Sequence, residues 1–140
     1  MAAMFEHVCR GFFIFLFLVA GSLHFVSPYK EDMANLVPPF YWNQMHLVYV
    51  SGVMELAGGI FLCTRHYRAA AGWLLFLLIN ITLQAHVYAQ LYDVAPMASQ
   101  TGGAIPSAGV WAARNALQAA WMAMLWYLWQ GGNKPATKRA

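Results

Sequence analysis

Charge is what this chain has least of. Of its 140 residues 9% are Asp, Glu, Lys or Arg and 61% are hydrophobic, whereas ordinary soluble domains carry about 25% charged residues. So little charge cannot cover a water-exposed surface, which excludes an ordinary soluble domain and leaves an integral membrane protein. Cysteine is equally scarce. Cys9 and Cys63 form no C-x-x-C pair, which excludes dithiol exchange and makes both small apolar packing residues near the inner surface. No haem-ligation motif, Gly-rich dinucleotide turn or cysteine cluster occurs, so the chain holds no covalent cofactor. His24, His86 and Glu55 are suitable metal-ligand types, yet no close-spaced ligand pair supports a metal site. The sequence has no internal repeat and no low-complexity region. It also lacks the residue-by-residue alternation of a transmembrane barrel, and no basic stripe interleaves with aromatics, so the pI of about 9.0 does not point to nucleic acid.

What is present is four long apolar runs, at 11–25, 46–63, 69–89 and 110–129. A helix needs ~20 mostly apolar residues to cross a bilayer. The expected fold is therefore all-α: an integral membrane four-helix bundle forming one domain over 1–140, with a mobile basic tail at 131–140. A second reading takes Arg10, the apolar run after it and the small residues Ala20, Gly21 and Ser22 as a signal peptide, which would leave an odd number of spans.

Positive charge sets the expected orientation. With four alternating spans, Arg10, Arg65, Arg68, Lys134, Lys138 and Arg139 fall on one side and Lys30 on the other, which puts both termini in the cytoplasm. Helical spans with cytoplasmic termini imply a bacterial inner membrane or a plasma membrane. The outer connections are long and the inner turn TRHYR is short, so the second and third spans form a tight hairpin. Within the first outer connection NLVPPFYW reads as a segment lying on or dipping into the outer leaflet; an ordinary loop fits the same residues.

The polar residues inside the spans are the functional candidates, because a charge in a helix centre costs about 2.5 to 3.5 kcal/mol on insertion scales and so faces a bundle interior. Glu55 falls near the midplane among Ser51, Gly52, Gly58 and Gly59, all three or four positions away and on one face. Small residues there let a neighbouring helix approach. Arg114 lies near the outer end of the last span with Gln118 a turn deeper, so a Glu55–Arg114 ion pair is expected, direct or through Gln118 and water. His24, Gln84 and His86 fall in the same outer half. These six residues, His24, Glu55, Gln84, His86, Arg114 and Gln118, make up a candidate ligand pocket open towards the outside. Asn80 and Asn115 are read as structural polar residues, Asn80 as an interhelical hydrogen-bond link.

Several of these segments resemble the DoxX-like membrane proteins: AGSLHF, VPPF, VYVSGVMELAGGIFL, AHVYAQ and WAARNALQ. The resemblance runs from about His24 to Gln118 and implies a four-helix bundle whose recurrent polar positions match His24, Glu55, Arg114 and Gln118. The third span departs from the pattern: QAHVY stands where a P-A-N-I-Y type sequence is expected, so Gln84 replaces a proline and His86 an asparagine. That favours His86 over Asn80 as a pocket residue. The family includes a subunit associated with thiosulfate:quinone oxidoreductase, quinone-stress proteins and a receptor-assembly chaperone, so the fold alone does not decide the function.

The expected function is an accessory subunit of a larger membrane complex, with an intramembrane pocket for a quinone or similar lipophilic small molecule. If it takes part in catalysis, it does so as a quinone-linked oxidoreductase component, with electrons supplied through a partner subunit. The competing reading is a non-enzymatic assembly chaperone or structural subunit whose buried polar set only organises the bundle. A transporter is weaker, since four spans without a repeat would have to oligomerise to enclose a path.

Overall fold

Helix boundaries follow local signals in the sequence. The computed structural model describes residues 2–132, and among these lie six helices and no strand. The first, α1 (Ala2–Leu23), begins well before the expected 11–25 run. Glu6 and Arg10, spaced one turn apart and 3.6 Å from each other, support that extra length. A short helix, α2 (Tyr29–Leu36), occupies the first long connection, where the sequence read an interfacial segment or a loop. It stops because Val37 precedes Pro38 and is extended, at φ −74° and ψ 125°. Next comes α3 (Gln44–Cys63), started by Asn43, whose side chain accepts the backbone N–H of His46 at 3.1 Å.

The turn carrying Arg65, His66 and Tyr67 leads directly into α4 (Arg68–Leu91). A single-turn helix, α5 (Ala98–Thr101), punctuates the second long connection, followed by α6 (Ala108–Gly132). Residues 133–140, with Lys134, Lys138 and Arg139 of the expected basic tail, lie outside the described residues.

The long helices pack in a ring: α1 on α3, α3 on α4, α4 on α6, and a narrower contact of α6 on α1. Helices α3 and α6 are therefore diagonal to each other. The N-terminal end of α1 and the α3–α4 turn share one end, where Arg68 stands 3.7 Å from Glu6. At the other end α2 meets α3, α4 and α5. Asp32 on α2 is buried and its carboxylate accepts two bonds from Ser99 on α5, from the backbone N–H at 3.1 Å and from the hydroxyl. This clasp joins the two long connections across 67 positions of sequence.

Two apolar clusters sit at different heights. The larger gathers Phe13 and Phe17 of α1, Leu62 of α3, Leu75 and Leu78 of α4, and Leu125 and Leu128 of α6. Cys9 joins it, as expected of a small apolar residue, but Cys63 is exposed at the end of α3. The smaller cluster, Leu36, Ala89 and Trp111, lies towards the α2 end. The polar residues of α4 and α6 fall between these two clusters along the chain, at 82–86 and 114–118.

Three helices are long and apolar enough to cross a membrane: Met4–Leu23, Gln44–Cys63 and Arg68–Leu91. Only 22% to 28% of the residues in their most apolar stretches are buried, so most of that apolar surface faces outward. Four such helices were expected. The helix over 110–129 has the length, but Arg114, Asn115 and Gln118 make its first half too polar to stand with the other three.

Candidate functional site

Two groups of polar side chains contain five of the six candidate pocket residues. The first lies between α1 and α3. His24 follows the last residue of α1 and is 8% exposed. Its Nδ1 is 2.7 Å from the carbonyl oxygen of Val48, and because a carbonyl can only accept, Nδ1 carries the hydrogen and donates. Ser51 supports the same carbonyl, donating from its hydroxyl at 2.9 Å while standing 3.1 Å from Nδ1. The other ring nitrogen, Nε2, faces Glu55 Oε2 at 3.5 Å. The approach depends on glycine: a Cβ on Gly52 would lie 2.5 Å from the Cβ of His24. Gly21 faces the same seam, where a Cβ would come within 3.1 Å of the Glu55 Cβ.

The second group bridges α4 and α6. Gln118 is 4% exposed and its Nε2 donates to the carbonyl of Ile79 at 2.8 Å. Asn115 donates to Gln90 at 3.2 Å, so Asn115 does link two helices. Arg114 reaches Asn115 with a long contact of 3.5 Å and bears electrostatically on His86. Two buried atoms in this group have no hydrogen-bond partner among the described residues, Gln118 Oε1 and His86 Nδ1.

Gln84 belongs to neither group. It accepts a hydrogen bond from the Tyr41 hydroxyl at 3.2 Å and lines an open groove of about 330 Å³ between α4 and the Pro38–Phe40 turn. Asn80 lines the same groove. Its amide donates to Phe76 in its own helix at 2.7 Å, so the expected interhelical link is not made: the carbonyl one turn back is the nearer acceptor.

The expected Glu55–Arg114 ion pair is also absent. Among the described residues the ion pairs are Arg10–Glu6, His24–Glu55, Lys30–Glu31 and Arg68–Glu6. The reason is the ring order, which sets α3 diagonal to α6 and turns Glu55 towards α1. The six candidate pocket residues thus divide: His24 with Glu55, His86 with Arg114 and Gln118, and Gln84 apart. No group of three His, Cys, Asp or Glu side chains suited to a metal ion gathers among the described residues.

Sequence reasoning missed the Asp32–Ser99 clasp and Gln90. Both rest on partners distant in sequence, and neither pair leaves a spacing signal.

The family described as Domain of unknown function (DUF8561) matches residues 13–129. The chain belongs to that family. This corrects the DoxX-like resemblance, which rested on short runs of small and apolar residues around one histidine and one glutamate. Such runs recur wherever membrane helices pack closely, so they separate families poorly. No curated protein and no solved structure matches the chain.

Proposed function

We propose that the protein is an integral membrane four-helix bundle, with α6 as its fourth span, that binds a lipophilic small molecule at the α4–α6 polar group. One observation carries this reading: Arg114 is a half-buried cation with no carboxylate partner among the described residues. Neighbouring Gln118 Oε1 and His86 Nδ1 are buried without partners. Buried charges and polar groups are costly unless paired, and a ligand oxygen would meet that need. Arg114 and His86 offer donors to a carbonyl, and Gln118 Oε1 offers an acceptor to a hydroxyl. A quinone, with a carbonyl when oxidised and a hydroxyl when reduced, fits this set of donors and acceptors.

The chain carries no redox-cofactor motif, so this reading makes it an accessory subunit, with electrons reaching a bound quinone from a partner protein. The wide apolar outer faces of α1, α3 and α4 suit both lipid and a larger membrane complex. The end bearing Arg10, Arg65 and Arg68 is placed in the cytoplasm by the positive-inside rule, in a bacterial inner membrane or a plasma membrane.

The test is to purify the full chain in mild detergent and identify co-purifying small molecules and proteins by mass spectrometry, with Arg114→Gln alongside. A quinone-like molecule held by the wild type and lost from the variant supports the proposal. A retained protein partner with no specific small molecule sinks it and favours the structural-subunit or assembly-chaperone reading.

A further inference from the structure

A proton count at the α1–α3 seam leads further. His24 Nδ1 must donate, since Val48 O at 2.7 Å can only accept. A neutral His24 therefore turns the bare lone pair of Nε2 towards Glu55. Glu55 Oε2 is buried, 3.5 Å from that nitrogen, and has no hydrogen-bond partner among the described residues. If Glu55 were ionised and His24 neutral, a lone pair would face a carboxylate oxygen in an apolar interior, with nothing to offset the negative charge. One added proton resolves both faults, whether it resides on Oε2 and is donated to Nε2 or resides on Nε2 and makes an ion pair. Either placement leaves the pair with zero net charge.

The geometry points to a proton-binding site made by His24 and Glu55: the pair holds one proton between Nε2 and Oε2 and exchanges it with the outside of the bundle. The site is distinct from the α4–α6 ligand site and does not depend on whether that site is occupied.

Among the described residues no other charge replaces that proton: on α1, Arg10 pairs with Glu6. Of the other helices packed on α3, α4 carries Arg68, which pairs with Glu6, and His86, on which Arg114 bears electrostatically. On α2, Lys30 pairs with Glu31 and Asp32 is held by Ser99. Within α3, Ser51 is engaged on Val48 O. The His24 and Glu55 side chains retain 10% and 12% exposure, which leaves a narrow way for a proton to come and go. The small residues around them, Gly21, Gly52 and Ser51, keep the two groups close.

Magnetic resonance and infrared spectroscopy of the full chain in lipid bilayers test this. The ¹⁵N signals of His24, identified among the five histidines by difference from His24→Gln, report which ring nitrogens are protonated. The infrared carboxylic-acid band, identified by its loss in Glu55→Gln, reports the other placement. At neutral pH the expected result is either a doubly protonated His24 or a protonated Glu55, with Nδ1 protonated in both cases. On titration, Glu55→Gln should take up one proton fewer than wild type while remaining folded, because the glutamine amide can donate to Nε2. An ionised Glu55 beside a neutral His24 at neutral pH, or an Nδ1 without its hydrogen, would overturn the inference. So would unchanged proton uptake by folded Glu55→Gln.

Discussion

The two polar groups inside this protein solve the same problem in opposite ways. At the α1–α3 seam an acid and a base face each other, the imidazole is fixed by Val48 O and Ser51, and glycines bring the backbones close. At the α4–α6 seam a cation bears electrostatically on a histidine, the amides bond to backbone and to one another, and two buried polar atoms lack partners among the described residues. The first group needs only a proton to be complete. In the proposed function the second is completed by an oxygen-bearing ligand, and that difference is why binding is proposed at α4–α6 and proton storage at α1–α3.

The largest expected effect comes from forcing the tight seam apart. Gly52→Ala places a Cβ 2.5 Å from that of His24, and such overpacking should cost about 1–3 kcal/mol. Gly72→Ala at the α4–α6 seam meets Trp129 N at 3.2 Å. There the gain in helix propensity of ~1 kcal/mol offsets the crowding. Thermal unfolding of the two variants in the same detergent should show a clear loss for Gly52→Ala and little change for Gly72→Ala. Equal losses would erase the contrast between the seams.

The clasp between the two long connections comes next. Ser99→Ala removes a donor from the buried Asp32 carboxylate, and a hydrogen bond to a charged group is worth about 1.5–3 kcal/mol. Faster amide hydrogen exchange in α2 and α5, with the middle of α3 unaffected, is the outcome to look for.

Arg114→Gln should leave stability within ~0.5 kcal/mol of wild type, since no carboxylate is left unpaired. Retention of the co-purifying small molecule should drop by about tenfold or more, the equivalent of one charge-assisted hydrogen bond. A large loss of stability in this variant would make Arg114 a structural residue. Smallest of all is the effect of Glu55→Gln on unfolding, because an amide can take the place of the proton. A shift above ~1 kcal/mol would indicate an ion pair that the glutamine fails to replace.

Much of this architecture was readable from residue order. The apolar runs located four long helices: α3 and α4 exceed the expected 46–63 and 69–89 by two and three residues, whereas α1 starts nine residues before the expected 11–25 and stops two residues short of its end. Glycine and serine around Glu55 were expected on one face for close approach; the structure divides them, with Gly52 against His24 and Gly59 against Leu18 on the α1 side and Gly58 against Leu75 of α4. Helix periodicity reports which residues share a face. It does not report which neighbour that face meets, and so the partner of Glu55 was misassigned to Arg114, and Asn80 to another helix.

Composition and hydropathy by themselves pointed to a helical chain with four apolar runs, three of which form helices long and apolar enough to cross a membrane, and to a few ionisable groups within those runs. Those properties follow from local free energies of transfer and from hydrogen bonding within each helix. Only the tertiary structure decided how the helices are ordered around the ring, and that order sets His24 on Glu55, separates Glu55 from Arg114 and binds Asp32 to Ser99. Such pairings depend on side-chain packing between segments far apart in sequence, which no local pattern records.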